Sequence, residues 1–404
     1  MTNIRNIGII TSGGDCGGLN AVVRGAALVA ITRGIGTYVI PNGYAGLYNL
    51  IDFNELVLLD KERVDIVNSS FAGSETGHSR VKISKIADEN KYKRILAGLK
   101  KFNIDGLVIS GGDDTGSVVV DLSENGIPCV HAPKTMDLDL QTYSVGGDSA
   151  INKIANIVND IKTTGRTHNR IMIIEVFGRY AGHTAFRGGI ASDADCILIP
   201  EIRIDFDSIY DHLKTRYMRR IETSDVRAGT YVIVVAEGIL DEDGNVFTDE
   251  AIGCDSFGHQ KLSGGAKAVR TRLEAKLKAD PEIKEFMKKN GMYIPEIFES
   301  PEVRDVTPGH IIRSGYTFAY DVNFGKEVGS AAVLLLEQGI TGVTVVGVEK
   351  GEIRYIPTKE AIVQRHVDLN MVSYYEEMGV AFGRRPVGFN PTFKKVCCPI
   401  ERCM

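Results

Sequence analysis

The sequence carries little net charge: 47 lysines and arginines against 52 aspartates and glutamates leave −5 over 404 residues. No global field points to nucleic acid or to an acidic membrane surface. No stretch approaches the ~18 uninterrupted apolar residues that a membrane span requires. The N-terminus, Met1-Thr2-Asn3-Ile4-Arg5, lacks the apolar core of a secretion signal and runs straight into a strand pattern. These absences predict a cytoplasmic protein with no membrane and no nucleic-acid partner. Seven cysteines are scattered along the chain without a CxxC spacing. Cys16, Cys129, Cys196 and Cys254 read as reduced residues in loops or buried strands. Cys397, Cys398 and Cys403 gather near the C-terminus without a histidine beside them, and read as free thiols rather than a metal site. No Gly-Lys-Ser/Thr closes a glycine loop and no GxGxxG occurs, which removes the Walker A and dinucleotide fingerprints. No period of 20–50 residues marks a solenoid.

What is present is an ordinary globular composition, 43% hydrophobic and 25% charged, over a length that allows two or three domains. Glycine is plentiful, at 44 residues, and many fall where apolar runs end. Backbone can approach a phosphate closely at such places. Ile4–Ile10 reads as a strand, followed by the loop Thr11–Leu19 and a helix from about Asn20 to Thr32. Further strands are Gly36–Ile40, Ile104–Ser110 and Ile127–Val130, with helices at Lys91–Phe102 and Gly116–Leu122. This alternation predicts right-handed βαβ units and a parallel sheet. A second series begins near residue 145. It has a helix from Asp148 to about Thr164, strands at Ile171–Val176, Cys196–Ile199 and Tyr231–Ala236, and a polar stretch from Asp241 to about Arg304. That stretch, which includes Gly253–Gln260 and a charged helix at about Ala266–Lys289, reads as an insertion. A helix at Gly325–Glu337 and a strand at Gly342–Val348 follow.

Several loops place acids and bases at strand ends, which is where open α/β sheets hold ligands. Pro133-Lys134-Thr135-Met136-Asp137-Leu138-Asp139 combines two carboxylates with a lysine. Gly111-Gly112-Asp113-Asp114-Thr115 follows the strand before it. Phosphoryl transfer needs a carboxylate-held Mg²⁺, cations and N–H groups for the moving phosphoryl group, and a carboxylate for the hydroxyl proton. Asp113, Lys134, Arg80, Asp137 and the later arginines are the residue types for those parts. They are equally the residue types of scattered surface charge.

Taken together, the loops resemble the phosphofructokinase family from about residue 5 to residue 350, with the motifs in family order. Gly13–Asn20 resembles the GGDxPGxN donor loop, Gly111–Thr115 resembles GGDGS, and Pro133–Asp139 resembles the TIDND catalytic loop. Glu175-Val176-Phe177-Gly178-Arg179 resembles EVMGR; Glu237-Gly238 and Gly309-His310-Ile311-Ile312-Arg313 resemble the two later sugar-phosphate motifs. The resemblance implies an α/β fold of two Rossmann-like α/β/α domains with the active site in the cleft between them. Residues 1–145 plus about 309–362 would bind the donor. Residues 146–308 plus about 363–404 would bind the sugar phosphate, with the insertion near 241–304. It implies transfer of a phosphoryl group to the 1-hydroxyl of fructose 6-phosphate. Asp137 is then the general base, Asp139 supports the loop or the transition state, Thr135 bonds the transferring group and Asp113 holds Mg²⁺. Arg80, Thr115 and the backbone at Gly14 hold the donor phosphates. Phe177, Gly178, Arg179, Glu237, His310 and Arg313 surround the sugar phosphate. Arg170 and Arg304 match two arginines lent to a neighbouring subunit's site, which implies a homodimer or homotetramer.

Two positions bear on the donor. ATP-using members carry glycine where Asp114 stands and generally a small residue where Lys134 stands. An aspartate fills the space of a nucleoside's α-phosphate and repels it, and a lysine suits a compact, highly charged anion. Both match the pyrophosphate-dependent branch, whose reaction is readily reversible. Alternatives are an ATP-dependent enzyme of the same fold and a non-catalytic regulatory paralogue. Sedoheptulose 7-phosphate, which shares the ketose end, is a second candidate acceptor. Departures from the family pattern are Leu138 for the asparagine between the two aspartates, Gly17 for the donor-loop proline, Gly146-Gly147-Asp148 for an aromatic-containing GFD, and Ser314 in place of glycine after Arg313. Arg24 matches one nucleotide-effector position, but Leu28 stands where a second arginine is usual, which predicts weak nucleotide regulation.

Overall fold

A computed structural model describes residues 4–247, 262 and 264–395. The chain divides into two compact units. Among the described residues, the first comprises residues 4–150 and 310–365, and the second 151–247, 262, 264–309 and 366–395. Cys254 and the rest of Gly253–Gln260, with Cys397, Cys398 and Cys403, lie outside the described residues.

Eleven strands are described: β1 (Asn6–Thr11), β2 (Gly36–Val39), β3 (Val57–Leu58), β4 (Gly106–Gly111), β5 (Cys129–Pro133), β6 (Ile171–Val176), β7 (Cys196–Leu198), β8 (Tyr231–Ala236), β9 (Val303–Val306), β10 (Val343–Glu349) and β11 (Glu352–Pro357). The first unit holds a seven-stranded sheet in the order β11-β10-β5-β4-β1-β2-β3. Its five central strands are parallel, and both edge strands run antiparallel. The strand residues alternate between two cores. Ile7, Ile9, Val108 and Val130 face the helices Leu19–Thr32 and Ala319–Glu337. Ile10, Leu107, Ile109 and Cys129 face the helices carrying Tyr44, Ile95 and Val118. That is why these strands read as continuous apolar runs: in a parallel sheet both faces are covered. The two helices on the first face touch backbone to backbone. A side chain at Gly329 would place its first carbon 2.2 Å from the Val22 carbonyl oxygen, so only glycine fits there.

The second unit has a parallel four-stranded sheet in the order β7-β8-β6-β9. Gly189 of the helix His183–Ala191 approaches Val234, while Gly265 of the helix Gly265–Ala279 approaches Val235. Successive strand residues point to opposite faces, so helices cover this sheet on both sides. The architecture is thus two α/β units with parallel sheets, as the sequence predicts.

Several local readings change. Asp113, Asp114 and Thr115 are not in a loop; they form the first turn of the helix Asp113–Glu124. Strand β5 continues through Pro133, past the Val130 end read from the apolar run. The division between units falls inside the helix Gly147–Thr167 rather than before it. The single charged helix expected at 266–289 is two, separated at Asp280, whose carboxylate caps the helix that begins at Pro281. Nor is the whole of 241–304 an insertion: β9 is a strand of the second sheet, hydrogen-bonded to β6.

Candidate active site

Strand order in the first sheet reverses between β1 and β4. The chain leaves β1 for β2 on one side and returns as β4 on the other. Open α/β sheets form a crevice beyond the strand ends at such a point. Thr11 of β1 pairs with Ser110 of β4, and Gly111 with Pro133 of β5, so three strands finish level. The chains leaving them remain joined: Ser12 N donates to Ser110 O at 2.9 Å, and Lys134 N to Gly111 O at 2.9 Å. Gly13–Gly18, Asp113–Thr115 and Lys134–Asp139 are therefore neighbours because of strand order, not of closeness in sequence.

Lys134 is buried, and its ammonium donates to the carbonyl of Gly14. Burial pulls its pKa below the ordinary lysine value, and the nearby guanidinium of Arg313 pulls it further. The Thr115 hydroxyl is buried, faces Gly13, and finds no hydrogen-bond partner among the described residues. The Gly13–Gly18 loop thus has an ammonium and an unsatisfied hydroxyl converging on its first two glycines. Arg313, in the short 3₁₀ turn Gly309–Arg313, lies over the same place: a side-chain carbon at Gly14 would be 2.8 Å from its guanidinium, which sits 3.8 Å from Asp15. The structure thus puts Arg313 against the donor loop, whereas the sequence reading gave it to the sugar phosphate. His310, from the same turn, is exposed, as is Arg80. Cys16 in the donor loop is buried, and burial pushes its thiol up to about 12, which makes it an inert packing residue.

Thr135 and Asp137 form a tight local turn. The Thr135 hydroxyl accepts from Asp137 N at 3.1 Å and lies 3.4 Å from Asp137 Oδ2. Ser144 Oγ holds the Thr135 carbonyl at 2.8 Å. Asp137 is half-buried and Asp139 buried. Leu138 between them adopts a left-handed backbone, φ 58°, with its side chain buried. Asparagine tolerates that conformation better than most residues, which gives the family's asparagine a backbone reason. What leucine adds is packing. A side-chain carbon at Gly147 would lie 2.3 Å from Leu138 Cδ2, so Leu138 fills the room that Gly147 leaves. Two departures from the family pattern, at 138 and at 147, are one contact. Arg365 fastens the turn from below, its NH2 donating to Leu138 O and its N to Asp139 O, both at 2.7 Å.

In the second unit, Phe177, Gly178 and Arg179 follow the end of β6 and Glu237 follows the end of the adjacent β8. The Glu237 carboxylate accepts from Arg179 N at 3.0 Å and from Gly178 N at 3.4 Å, so it shapes the loop that presents Arg179. Glu175, one turn of the pleat earlier, accepts from Ala266 N at 2.8 Å, and burial raises its pKa. Arg170 and Arg304 sit at the opposite edge. Arg170 precedes β6, Arg304 lies in β9, and both pair with the carboxylate of Glu302. From Arg170 to Phe177 the strand covers about 20 Å. The residues of this unit that the sequence singled out thus form two separate groups.

Four residues at these places escaped the sequence reading. Glu302 is one. Asp321, fully buried, accepts from Tyr143 OH at 2.7 Å, Gly146 N at 2.9 Å and Ser149 N at 2.7 Å, and so fixes the chain after Lys134–Asp139. His78 bonds the Gly13 carbonyl at 3.0 Å, with burial pushing its pKa down to about 4. Lys82 lies 3.7 Å from Asp114. No local signal marks them: the partners of Asp321, His78 and Lys82 are distant in sequence, and Glu302 joins Arg304 close by to the distant Arg170. Arg24 spends its guanidinium inside the unit, on the carbonyls of Val64, Asp65 and Val67.

Comparison with known proteins follows the same lines. A family model described as Phosphofructokinase matches residues 6–336. A pyrophosphate–fructose 6-phosphate 1-phosphotransferase of Streptomyces coelicolor is 31% identical over 93% of this chain and 99% of its own length. An ATP-dependent 6-phosphofructokinase 2 of Clostridium perfringens is 32% identical over 95% of this chain and 99% of its own. The crystal structure of a pyrophosphate-dependent phosphofructokinase from Marinobacter aquaeolei superposes with a TM-score of 0.68, covering 98% of this chain and 100% of that one at 19% identity, a likeness of fold. Two loops and a helix's first turn meeting at a strand-order reversal, in a chain that matches the family over most of its length, carry one conclusion: the chain belongs to the phosphofructokinase family, whose members transfer a phosphoryl group to fructose 6-phosphate.

Proposed function

We propose that the donor is pyrophosphate and that the protein is a reversible, Mg²⁺-dependent pyrophosphate:fructose-6-phosphate phosphotransferase. The observation that carries the reading is the convergence on Gly13 and Gly14 of a buried lysine, Lys134, and a buried unsatisfied hydroxyl, Thr115. A compact polyanion is the ligand that satisfies both, and it restores the Lys134 ammonium that burial disfavours. Asp114, beside Asp113 in the same helical turn, supplies a carboxylate where a nucleoside's α-phosphate would repel it. The ATP-dependent reading keeps its support in relatives such as that of Clostridium perfringens.

Asp137 takes the proton of the ketose 1-hydroxyl as its oxygen attacks phosphorus. The bond from that phosphorus to the bridging oxygen breaks, and inorganic phosphate leaves. Thr135 positions the Asp137 carboxylate, while Lys134 and the loop amides hold the donor. Among the described residues no three His, Cys, Asp or Glu side chains form a metal cage. Mg²⁺ suits such a site, because it takes one or two carboxylates and completes its shell with phosphate and water. Asp113 is the carboxylate for it, and the metal would neutralise charge on the phosphoryl group. Phe177, Gly178, Arg179, Glu237 and His310 serve the sugar phosphate, with Arg313 at the donor loop able to serve either substrate. Arg170 and Arg304, ~20 Å along the sheet from Phe177, would complete a neighbouring subunit's site in a homo-oligomer.

The test is a matrix of donor and acceptor: pyrophosphate or ATP, each with fructose 6-phosphate or sedoheptulose 7-phosphate, with Mg²⁺ present. Turnover with pyrophosphate and fructose 6-phosphate is expected. Turnover with ATP and none with pyrophosphate overturns the donor assignment.

A further inference from the structure

Asp114 does not stand alone at the start of its helix. Lys82 Nζ lies 3.7 Å from Asp114 Oδ1, with the lysine side chain 30% and the aspartate 16% exposed. The backbone that brings Lys82 there is fixed. Lys82 is extended and immediately precedes a 3₁₀ turn whose first residue, Ile83, is fully buried. Ile83 packs in the same core cluster as Val118, Val119 and Leu122 of the helix that Asp114 opens. Val81, on the other side, also packs against that cluster. One short segment thus presents Lys82 toward the turn that carries Asp113 and Asp114.

From this we infer that Lys82 is a donor-specificity residue: its ion pair pins the Asp114 carboxylate across the space beyond the second phosphate and so excludes a nucleotide. The inference rests on the pyrophosphate reading and deepens it. An aspartate alone is a weak barrier. Its side chain has few rotatable bonds but can swing toward solvent, where a nucleotide's α-phosphate would drive it. Paired with Lys82, it loses the partner when it swings, so the barrier includes the ion pair. Nor can a nucleotide recruit Lys82 as a phosphate ligand without drawing that cation from Asp114, whose carboxylate lies beside the nucleotide's own negative charge. Discrimination of this kind comes from an arrangement that disfavours the wrong ligand rather than one that grips the right one.

The experiment measures kcat/KM for pyrophosphate and for ATP with fructose 6-phosphate in the wild type, Lys82→Met, Lys82→Arg, Asp114→Gly and Lys82→Met/Asp114→Gly. Lys82→Met keeps the aliphatic stem and removes the charge. Its preference for pyrophosphate over ATP should fall about fivefold, the scale of a partly exposed ion pair, through the KM for the donor with kcat nearly kept. Lys82→Arg should restore the preference. Asp114→Gly should lose more, and adding Lys82→Met to it should change the preference no further, because the pair is already broken. An unchanged preference in Lys82→Met, or full additivity in the double variant, overturns the role of Lys82 and leaves the pyrophosphate reading standing. A wild type that turns over ATP and not pyrophosphate overturns the pyrophosphate reading itself, and the role of Lys82 falls with it. Fructose 6-phosphate KM, read in the same assays, should stay constant; a parallel rise there in Lys82→Met would mark a general disturbance of the unit and also overturn the role.

Discussion

At the scale of single residues, the Thr135–Asp139 turn shows how little separates its proposed chemistry from packing. Asp137 is oriented by Thr135, and removal of its basicity tests its role without disturbing the turn. Asp137→Asn should lower turnover by roughly 10²- to 10⁴-fold, with an unchanged thermal midpoint, since general-base loss has that size. Near-normal turnover would remove Asp137 from the mechanism. Leu138 and Gly147 make a different point. Gly147→Ala puts a carbon into Leu138 at 2.3 Å, so it should destabilise by about 1–3 kcal/mol in denaturant titration, as overpacking does. Combining it with Leu138→Ala should recover part of that loss, giving a coupling between the two sites. Simple addition of the two effects would show that the contact matters little.

At the scale of elements, the two loops and the helical turn of the candidate site depend on the strands that end beneath them. His131 in β5 illustrates this. Fully buried, it bonds Thr344 Oγ1 at 3.0 Å and Gly111 O at 2.9 Å, tying β5 to both neighbouring strands. Burial lowers its pKa from 6.5 to about 4. Between those values the unfolded chain binds the extra proton, so stability is complete above pH 6.5 and declines as pH falls toward 4. From pH 7 to pH 5 the loss attributable to His131 is about 2 kcal/mol. Denaturant midpoints over that range should fall in the wild type and fall less in His131→Asn; parallel slopes would exclude His131. Much of this layer was legible in the sequence. Strands buried on both faces are continuous apolar runs, and the glycine and acidic motifs sit at their ends. The helix Phe206–Glu222 is hard to see in the sequence, because its buried residues, Phe206, Ile209, Tyr210, Leu213, Tyr217 and Ile221, are diluted by charged neighbours on the exposed face. Asp113–Thr115 read as loop because glycines precede them, although acidic residues favour a first helical turn. Strand β9, with two charged residues in four, does not look like part of a core sheet until it is seen beside β6. Lys82, His78, Glu302 and Asp321 were invisible for a simpler reason: each acts through a partner or a backbone position that only the folded chain brings near.

At the scale of the whole molecule, the spacing along β6 has a consequence that mixing experiments can read. Asp137 and Arg170 would serve different subunits' sites. Arg170→Ala and Asp137→Asn should each be nearly inactive alone. Dissociated together and reassembled at equal ratio as dimers, they should regain about a quarter of wild-type activity, because half the dimers are hybrids with one intact site each. No recovery in verified hybrids would place Arg170 outside any neighbour's site. Glu302 is relevant to that design: its one carboxylate bridges Arg170 and Arg304 within one chain, so the two arginines are held together with net positive charge before any phosphate arrives.

The contact between Leu138 and Gly147 also constrains history. A chain that already carries a bulky residue at 147 has no room for leucine at 138, whereas a chain with glycine at 147 has a hollow that leucine fills. The two exchanges are therefore passable in one order only: glycine first, leucine after. Once both are in place the way back is closed in the same sense, since enlarging 147 must wait for 138 to shrink. In relatives that diverged along this route, glycine at 147 should occur with and without leucine at 138, and leucine at 138 should not occur beside an aromatic at 147.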